Sequence, residues 1–402
     1  MYYPRTERQE RFVAVAGELA PRFAARAAEH DRDGSFPHGN FAEIRAAGLP
    51  ALVIPEEYGG WGANLLETVM TIERLAEGDG STALSLTMHM QTMGSTFEGH
   101  SWPEPLLRDL CRAIVEEGAL INACATEPEL GSPSRGGKPK TTAVPLNLNG
   151  PGVTTWRING RKNFASMSPT LDYYIIPAAL EDGSEEVARF VIPADDRIEI
   201  VETWDSLGMR ATGSHDILLH DVDVPSANII SRSDTSKPSP SGMANAWFML
   251  TVSAVYLGVA QAALQSAADY ANERVPTALG RPIATLDSIR RQLGEAELLI
   301  HQARVLLFSA ANQWDQLPEE RSRLSPAVMA AKVTVTNNAV QAVDHCLRAV
   351  GGAGMTKRLP LERHYRDVRA GLLHPVNDEQ ALIFFGQQVV ESSASQAPIP
   401  AQ

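Results

Sequence analysis

Apolar residues recur along this chain in two rhythms, and the order of those rhythms limits the fold more than any other feature. From about residue 8 to 118 they return at helical spacing: an Ala-rich charged opening, then Phe41 to Ala47, then Leu65 to Gly78, with Gly-Gly and Pro breaks between. From Ala119 to about Pro225 the text changes to short apolar runs, such as Tyr173-Tyr174-Ile175-Ile176 and Ala188-Arg189-Phe190-Val191-Ile192, separated by Gly, Pro, Asn and Asp. Asn159-Gly160, between Thr155-Trp156-Arg157-Ile158 and Arg161-Lys162-Asn163-Phe164, predicts a two-residue hairpin, whose turn positions need positive φ. Past a polar Ser/Pro linker at Ser231 to Ser241, helical spacing resumes at greater length. Leu286, Ile289, Leu293, Ala296, Ile300, Ala303, Leu307, Ala310 and Trp314 alternate steps of three and four. A further helix, expected to open with Ser325 as cap and Pro326 at N1, continues through Met329, Val333, Thr336, Val340, Val343, Leu347 and Val350. Repeats this long describe antiparallel bundle helices. The expected organisation is α+β and multi-domain: α-helical over 1–118, β over 119–230, and a helix bundle over 241–393, with a frayed tail after Glu391.

Charge narrows the partners. A formal net charge of -13 over 402 residues offers no diffuse attraction to phosphate backbones or anionic membranes, so nucleic acid is not an expected partner. Cys111, Cys124 and Cys346 are too far apart for a zinc pattern and too few for a disulfide framework, which fits a reducing cytoplasm and no metal site. The opening Met-Tyr-Tyr-Pro-Arg-Thr-Glu-Arg has charges where a secretory signal has its apolar stretch. No charged residue occurs from Pro238 to Ala268, long enough to cross a bilayer, but Asn245, Thr251, Ser253, Gln261 and Gln265 argue for a buried helix instead.

Four separated motifs carry a more specific signal: Ala125-Thr126-Glu127-Pro128-Glu129-Leu130-Gly131-Ser132, Gly160-Arg161-Lys162-Asn163-Phe164-Ala165-Ser166, Gly208-Met209-Arg210-Ala211-Thr212-Gly213-Ser214 with Val222-Asp223-Val224-Pro225, and Gly351-Gly352-Ala353-Gly354 leading to Arg366-Asp367. Alone, the first is an ordinary loop and the second an aromatic in a strand. Together, and with Pro55-Glu56-Glu57-Tyr58-Gly59-Gly60, they resemble the acyl-CoA dehydrogenase superfamily over nearly the whole chain. That resemblance implies an N-terminal helical domain, a β-barrel-like middle domain and a C-terminal four-helix bundle.

It also implies FAD, with FMN as the other flavin, bound to a homotetramer or homodimer. Ala125, Thr126 and Ser132 would hydrogen-bond the flavin ring, Phe164 shield one face and Ser166 reach N5. Arg274, Gly351 and Gly352 would serve the pyrophosphate and adenosine end, although Val275-Pro276-Thr277-Ala278-Leu279-Gly280 is longer than the family's Arg-x-x-Phe-Gly and lacks its Phe. Asn377 and Glu379 would reach the flavin from the last helix, while Asn377, with Gln380 three residues on, also reads as an N-cap. Arg210 lies in what looks like a substrate-side loop, and His89 on a helix bordering the acyl pocket, where a core histidine is the competing reading.

One residue departs from the pattern. Where the family's catalytic Tyr-Glu-Gly-Thr turn is expected, this chain has His374-Pro375-Val376-Asn377. Pro375 has neither the carboxylate that takes the α proton nor the N–H that polarises the thioester carbonyl. In members that carry the glutamate on the first bundle helix, the corresponding residue here is Phe248, followed by Met249. His374, beside the lost position, is the candidate substitute, as base or as hydrogen-bond donor. Three readings follow: oxidation of an acyl-CoA-like thioester at Cα–Cβ with a substituted base; a reduced-flavin-dependent monooxygenase of the same fold; and a non-catalytic flavin-binding subunit. An electron-transfer flavoprotein or a flavin reductase would be the redox partner.

Overall fold

The structure is a computed structural model that describes residues 3–100, 102–130, 137–146, 154–234 and 245–395. Close contacts divide the chain into two compact units, Met1–Ser241 and Gly242–Gln402.

The first unit opens with helices α1 (Glu7–Asp33), α2 (His38–Ala46), α3 (Leu65–Ala76), α4 (Gly80–Gly99) and α5 (Glu104–Glu117). Their ends are set locally. Thr6 accepts from the Gln9 N–H at the start of α1, Asn64 and Glu67 form a reciprocal capping box on α3, and Asp79 accepts from the Ser81 and Thr82 N–H groups at the head of α4. In the Pro55–Gly60 loop, Gly59 takes φ +86, and a Cβ on Gly60 would stand 2.1 Å from the Ile54 carbonyl oxygen. The loop therefore closes only with glycine there.

The strands are β1 (Ile121–Ala123), β2 (Thr142–Leu146), β3 (Thr155–Ala165), β4 (Tyr173–Leu180), β5 (Glu186–Pro193), β6 (Ile198–Val201), β7 (His215–Pro225) and β8 (Ile229–Asp234). They form one sheet in the order β6-β7-β3-β2-β4-β5-β8, with β1 and β2 running parallel to β4 and the remaining pairs antiparallel. Inward residues such as Trp156, Ile158, Ile176, Phe190, Ile217 and Val224 are buried.

Two expectations in this unit need correction. Asn159-Gly160 is not a hairpin turn: β3 runs unbroken through it, and the pairing with β7 shifts register between Ile158 and Gly160. The pair marks a bulge. A Cβ on Gly160 would meet Thr141 Oγ1 at 2.4 Å, and the Asn159 side chain exchanges hydrogen bonds with Asp221, which takes φ 49 on the facing strand. Likewise Ser231 to Asp234 is not linker but the pairing part of β8 against β5; the rest of that stretch, to residue 244, lies outside the described residues.

The second unit holds α6 (Ala246–Glu273), α7 (Asp287–Gln316), α8 (Arg321–Val350), the short α9 (Leu361–Asp367) and α10 (Asp378–Ser395). Helix α6 packs on α7 and α8, and α7 on α8. The α7 repeat faces this core from Ala296 onward through Ile300, Ala303, Leu307, Ala310 and Trp314. Helix α8 starts a turn earlier than expected, at Arg321, so Ser325 is not its cap and Pro326 lies inside it. Helix α6 is long and apolar enough to cross a membrane, yet 78% of its most apolar window is buried inside the protein. Thr251 and Ser253 donate back to the carbonyls of Trp247 and Met249, which satisfies their hydroxyls in the core. Helix α10 persists to Ser395, beyond the expected fraying point.

Candidate functional site

In the first unit, two of the motifs are bolted together. The Asn163 N–H donates to the Thr126 carbonyl at 2.9 Å, and Lys162 Nζ donates to Glu127 Oε1 at 2.7 Å with both side chains out of solvent. Glu127 also accepts from the Thr141 N–H and hydroxyl and from the Lys140 N–H; Lys162 adds a bond to the Pro177 carbonyl. Burial alone would raise the Glu127 pKa, but the bonds from Lys162 and Thr141 outweigh it and hold the carboxyl below its usual range. Glu127 is therefore a structural carboxylate that fixes the loop carrying Ala125 and Thr126 onto β3.

Beside this bolt the backbone is strained. Phe164, Met167 and Met209 take φ 52, 69 and 54, three of the five non-glycine residues with positive φ among the described residues. Bulky side chains hold such conformations only where the surroundings impose them, at about 1–3 kcal/mol each. Phe164 and Met167 flank Ser166 in the chain, and the Met209 carbonyl connects to it through the Thr212 and Ser214 hydroxyls. The Ser166 hydroxyl bonds Ser214 Oγ at 2.8 Å, Ser214 bonds Thr212 Oγ1 at 2.7 Å, and Asn122 donates to the Ser166 carbonyl. Phe164 is left 59% exposed, held edge-on by Trp204 at 5.8 Å between ring centroids. The Trp204 ring is anchored by its N–H on the Met209 carbonyl. Among the described residues the Thr126 hydroxyl bonds no other residue, and the buried Asn163 Oδ1 has no partner. An open aromatic face beside unpaired polar edges suits a flat aromatic ligand with hydrogen-bonding rims. Ala125 and Thr126 are half-buried there, and Ser132 lies outside the described residues.

His89 and Arg210, assigned to substrate from the sequence, both bond this unit's own chain. His89 is fully buried; its Nδ1 accepts from the Ile121 N–H at 3.1 Å, so Nε2 carries the proton and donates to the Pro50 carbonyl at 2.9 Å. Burial pushes its pKa down to about 4, and no ring atom is left for a ligand. Arg210 clamps the end of α1 through the Asp31 carbonyl and binds Asp205 and the Ser206 carbonyl.

In the second unit, α6 and the turn before α10 build a different arrangement. The Tyr256 hydroxyl lies 2.7 Å from His374 Nε2, and the Phe248 ring meets the imidazole edge-on at 5.9 Å. Burial first, then the Lys332 charge, pushes His374 down to about 4, so the imidazole is neutral at ordinary pH. Lys332 is itself fully buried and has no hydrogen-bond partner among the described residues; burial lowers it to about 8, against the pull of Asp378. Asp378 accepts from Asn337 on one oxygen, and its other oxygen has no partner among the described residues. Asn377 caps α10, its Oδ1 accepting from the Gln380 N–H at 3.0 Å while Gln380 returns a bond to the Asn377 N–H. Glu379 is exposed.

Arg274 ends α6 with an exposed side chain that bonds no described residue. Gly351, at φ 68, and Gly352 are exposed, and a Cβ added at either would stand in open space. Among the described residues there is no group of His, Cys, Asp and Glu side chains able to hold a metal. Sequence reasoning missed Tyr256, Lys332, Trp204 and the Glu127–Lys162 bolt; only Lys162 and Glu127 sat inside motifs it had marked.

Family models for the acyl-CoA dehydrogenase N-terminal, middle and C-terminal domains match residues 6–101, 122–222 and 250–379. A putative acyl-CoA dehydrogenase of Bacillus subtilis, YdbM, is 38% identical over 96% of this chain and 99% of its own length. The amino sugar nitrososynthase RubN8 of Streptomyces rubradiris is 31% identical over 90% of this chain and 85% of its own. Among solved structures, KijD3 in complex with FMN and a dTDP-linked amino keto sugar superposes with a TM-score of 0.81 at 29% identity, over 97% of this chain and 95% of that one. With three domains matched in order and full-length relatives on either side, the chain belongs to the acyl-CoA dehydrogenase superfamily.

Proposed function

We propose that this protein is a flavin-dependent monooxygenase that transfers oxygen to a small molecule, working as a homo-oligomer with a separate flavin reductase. One observation carries the reading: neither position that holds the family's base offers a carboxylate, and the histidine beside one of them is neutral with one ring nitrogen already engaged by Tyr256. Proton abstraction at a thioester α carbon needs a strong, available base. Oxygen transfer from a reduced flavin does not.

The flavin, when bound, supplies the redox chemistry: reduced, it activates O2. The chain's own residues supply a place for it. Phe164 offers an open ring face, the Ser166–Ser214–Thr212 hydroxyl chain a hydrogen-bonding edge, and Thr126 a free hydroxyl. FMN is the flavin to try first, with FAD beside it, because the similar KijD3 structure holds FMN. The nitrososynthase relative acts, by its name, on the nitrogen of an amino sugar, which makes an amine a reasonable first substrate class to try.

Association is supported by apolar side chains left in solvent on the second unit: Leu373 is 82% exposed, Leu382 66% and Val389 71%. The second reading, Cα–Cβ oxidation of an acyl-CoA, is favoured by the similarity to YdbM. The experiment supplies NADH, a flavin reductase and FMN, and measures oxygen-dependent product with a panel of amines and aromatic heterocycles. Oxygenated product establishes the proposal. Anaerobic bleaching of bound flavin by an acyl-CoA, with no oxygenated product, overturns it in favour of the second reading; flavin binding with neither result points to a non-catalytic subunit.

A further inference from the structure

The bond between Tyr256 and His374 bears on which ring nitrogen carries the proton. Tyr256 sits in the middle of α6, fully buried, and its hydroxyl has one hydrogen-bond partner among the described residues, His374 Nε2 at 2.7 Å. Two arrangements could make that bond. In one, the phenol O–H donates to the Nε2 lone pair and the ring N–H is on Nδ1. In the other, an Nε2–H donates to the phenol oxygen.

The second strands the phenol proton in the core with no acceptor, an unmade buried bond that shifts the balance against it at least about fivefold. Transfer of the phenol proton is no escape, because burial, followed by the nearby Asp367 charge, holds Tyr256 well above its ordinary value. The first arrangement leaves every atom of the pair satisfied except Nδ1–H. That group has no partner among the described residues, and His374 as a residue keeps part of its surface in solvent. Phe248, edge-on at 5.9 Å, restrains the ring.

We propose that Tyr256 is a positioning residue that locks His374 in the Nδ1–H form, so that His374 meets its ligand as a hydrogen-bond donor to an oxygen bearing negative charge, and not as a base. Of the two roles the sequence leaves open for His374, base or hydrogen-bond donor, this selects the second. The buried Lys332 charge opposes a second proton on the imidazole, which helps to keep the ring neutral. The inference rests on the monooxygenase reading only for what the donor meets; the state of the ring does not depend on turnover.

The test uses the flavin-loaded full-length protein with 15N-labelled histidine, and long-range proton–nitrogen correlation spectra near pH 7.5. His374, identified by its loss in His374→Asn, is expected to show a protonated Nδ1 and an unprotonated Nε2. Tyr256→Phe, checked for unchanged melting, is expected to release the ring to a mixture or to the Nε2–H form. A wild-type ring carrying its proton on Nε2, or a spectrum indifferent to Tyr256→Phe, overturns the proposal.

Turnover gives a second readout. His374→Asn keeps an N–H where Nδ1–H stood and should hold substrate KM within about tenfold, while His374→Gln, which mimics the other nitrogen, should not. Equal loss in both variants overturns the donor role. Should no substrate be oxygenated at all, the functional reading fails while the spectra still decide the tautomer.

Discussion

Lys162 and Glu127 form a fully buried ion pair, 2.7 Å apart, that joins the middle of strand β3 to the loop carrying Thr126. Breaking such a pair from one side leaves an uncompensated charge in the core. Lys162→Met should cost about 3–5 kcal/mol of unfolding free energy. Adding Glu127→Gln to it should recover more than about 1 kcal/mol relative to the single variant, because the stranded charge is then gone. Urea unfolding of the two variants and the parent measures both, and additive losses would contradict the coupling.

Acid should weaken the fold through its buried neutral histidines. His89 is pushed down from 6.5 to about 4 and His364 to about 3, in each case first by burial. Above pH 6.5 the rings are neutral in both states and contribute no pH dependence. As the pH falls below 6.5 the unfolded chain takes up protons that the folded chain refuses, so each ring removes about 1.4 kcal/mol per pH unit until its folded value is reached. Unfolding measured at pH 7.5, 6 and 5 should show this loss, and His89→Asn should flatten the slope by about one proton.

Phe164→Gly separates strain from recognition. The residue is 59% exposed at φ 52, a backbone that glycine adopts freely. Stability should therefore change by less than about 1 kcal/mol, while flavin affinity should fall at least about tenfold, the order expected when one large aromatic face is removed. Calorimetry of unfolding and a flavin titration check the two halves separately.

Charge placed on the exposed apolar side chains of α10 should dissociate the assembly. Leu382→Glu with Val389→Glu alters residues that are 66% and 71% exposed, so the fold of the single chain should be unaffected. Light scattering coupled to gel filtration should show a smaller species than the parent. An unchanged mass would place the contact elsewhere.

The fold was legible in the sequence because burial repeats. Ala296 to Trp314 face the core at the spacing read from the text, and Tyr173–Ile176 and Ala188–Ile192 are central strands β4 and β5. What failed was local chemistry that depends on a distant neighbour. Asn159-Gly160 carries a turn's signature, but the glycine is required by Thr141 approaching from the next strand, which no short-range rule contains. Ser325-Pro326 likewise looks like a helix start, although the helix begins at Arg321.

The candidate site was readable only where the motifs are contiguous. Phe164 and Ser166 could be marked because they stand in one unbroken phrase with Gly160 and Lys162, whereas Tyr256 meets His374 across 118 positions and has no motif of its own. His89 shows the reverse error: a histidine on a helix at the right address turns out to be a strut, its two nitrogens spent on Pro50 and Ile121.

Trp204, held against Phe164 at 5.8 Å, gives the protein an internal fluorescent reporter. Any yellow chromophore lying on that phenyl ring would sit within energy-transfer range of the indole and dim its emission. Occupancy could then be followed in real time, without labels, and compared between FMN and FAD in the same cuvette.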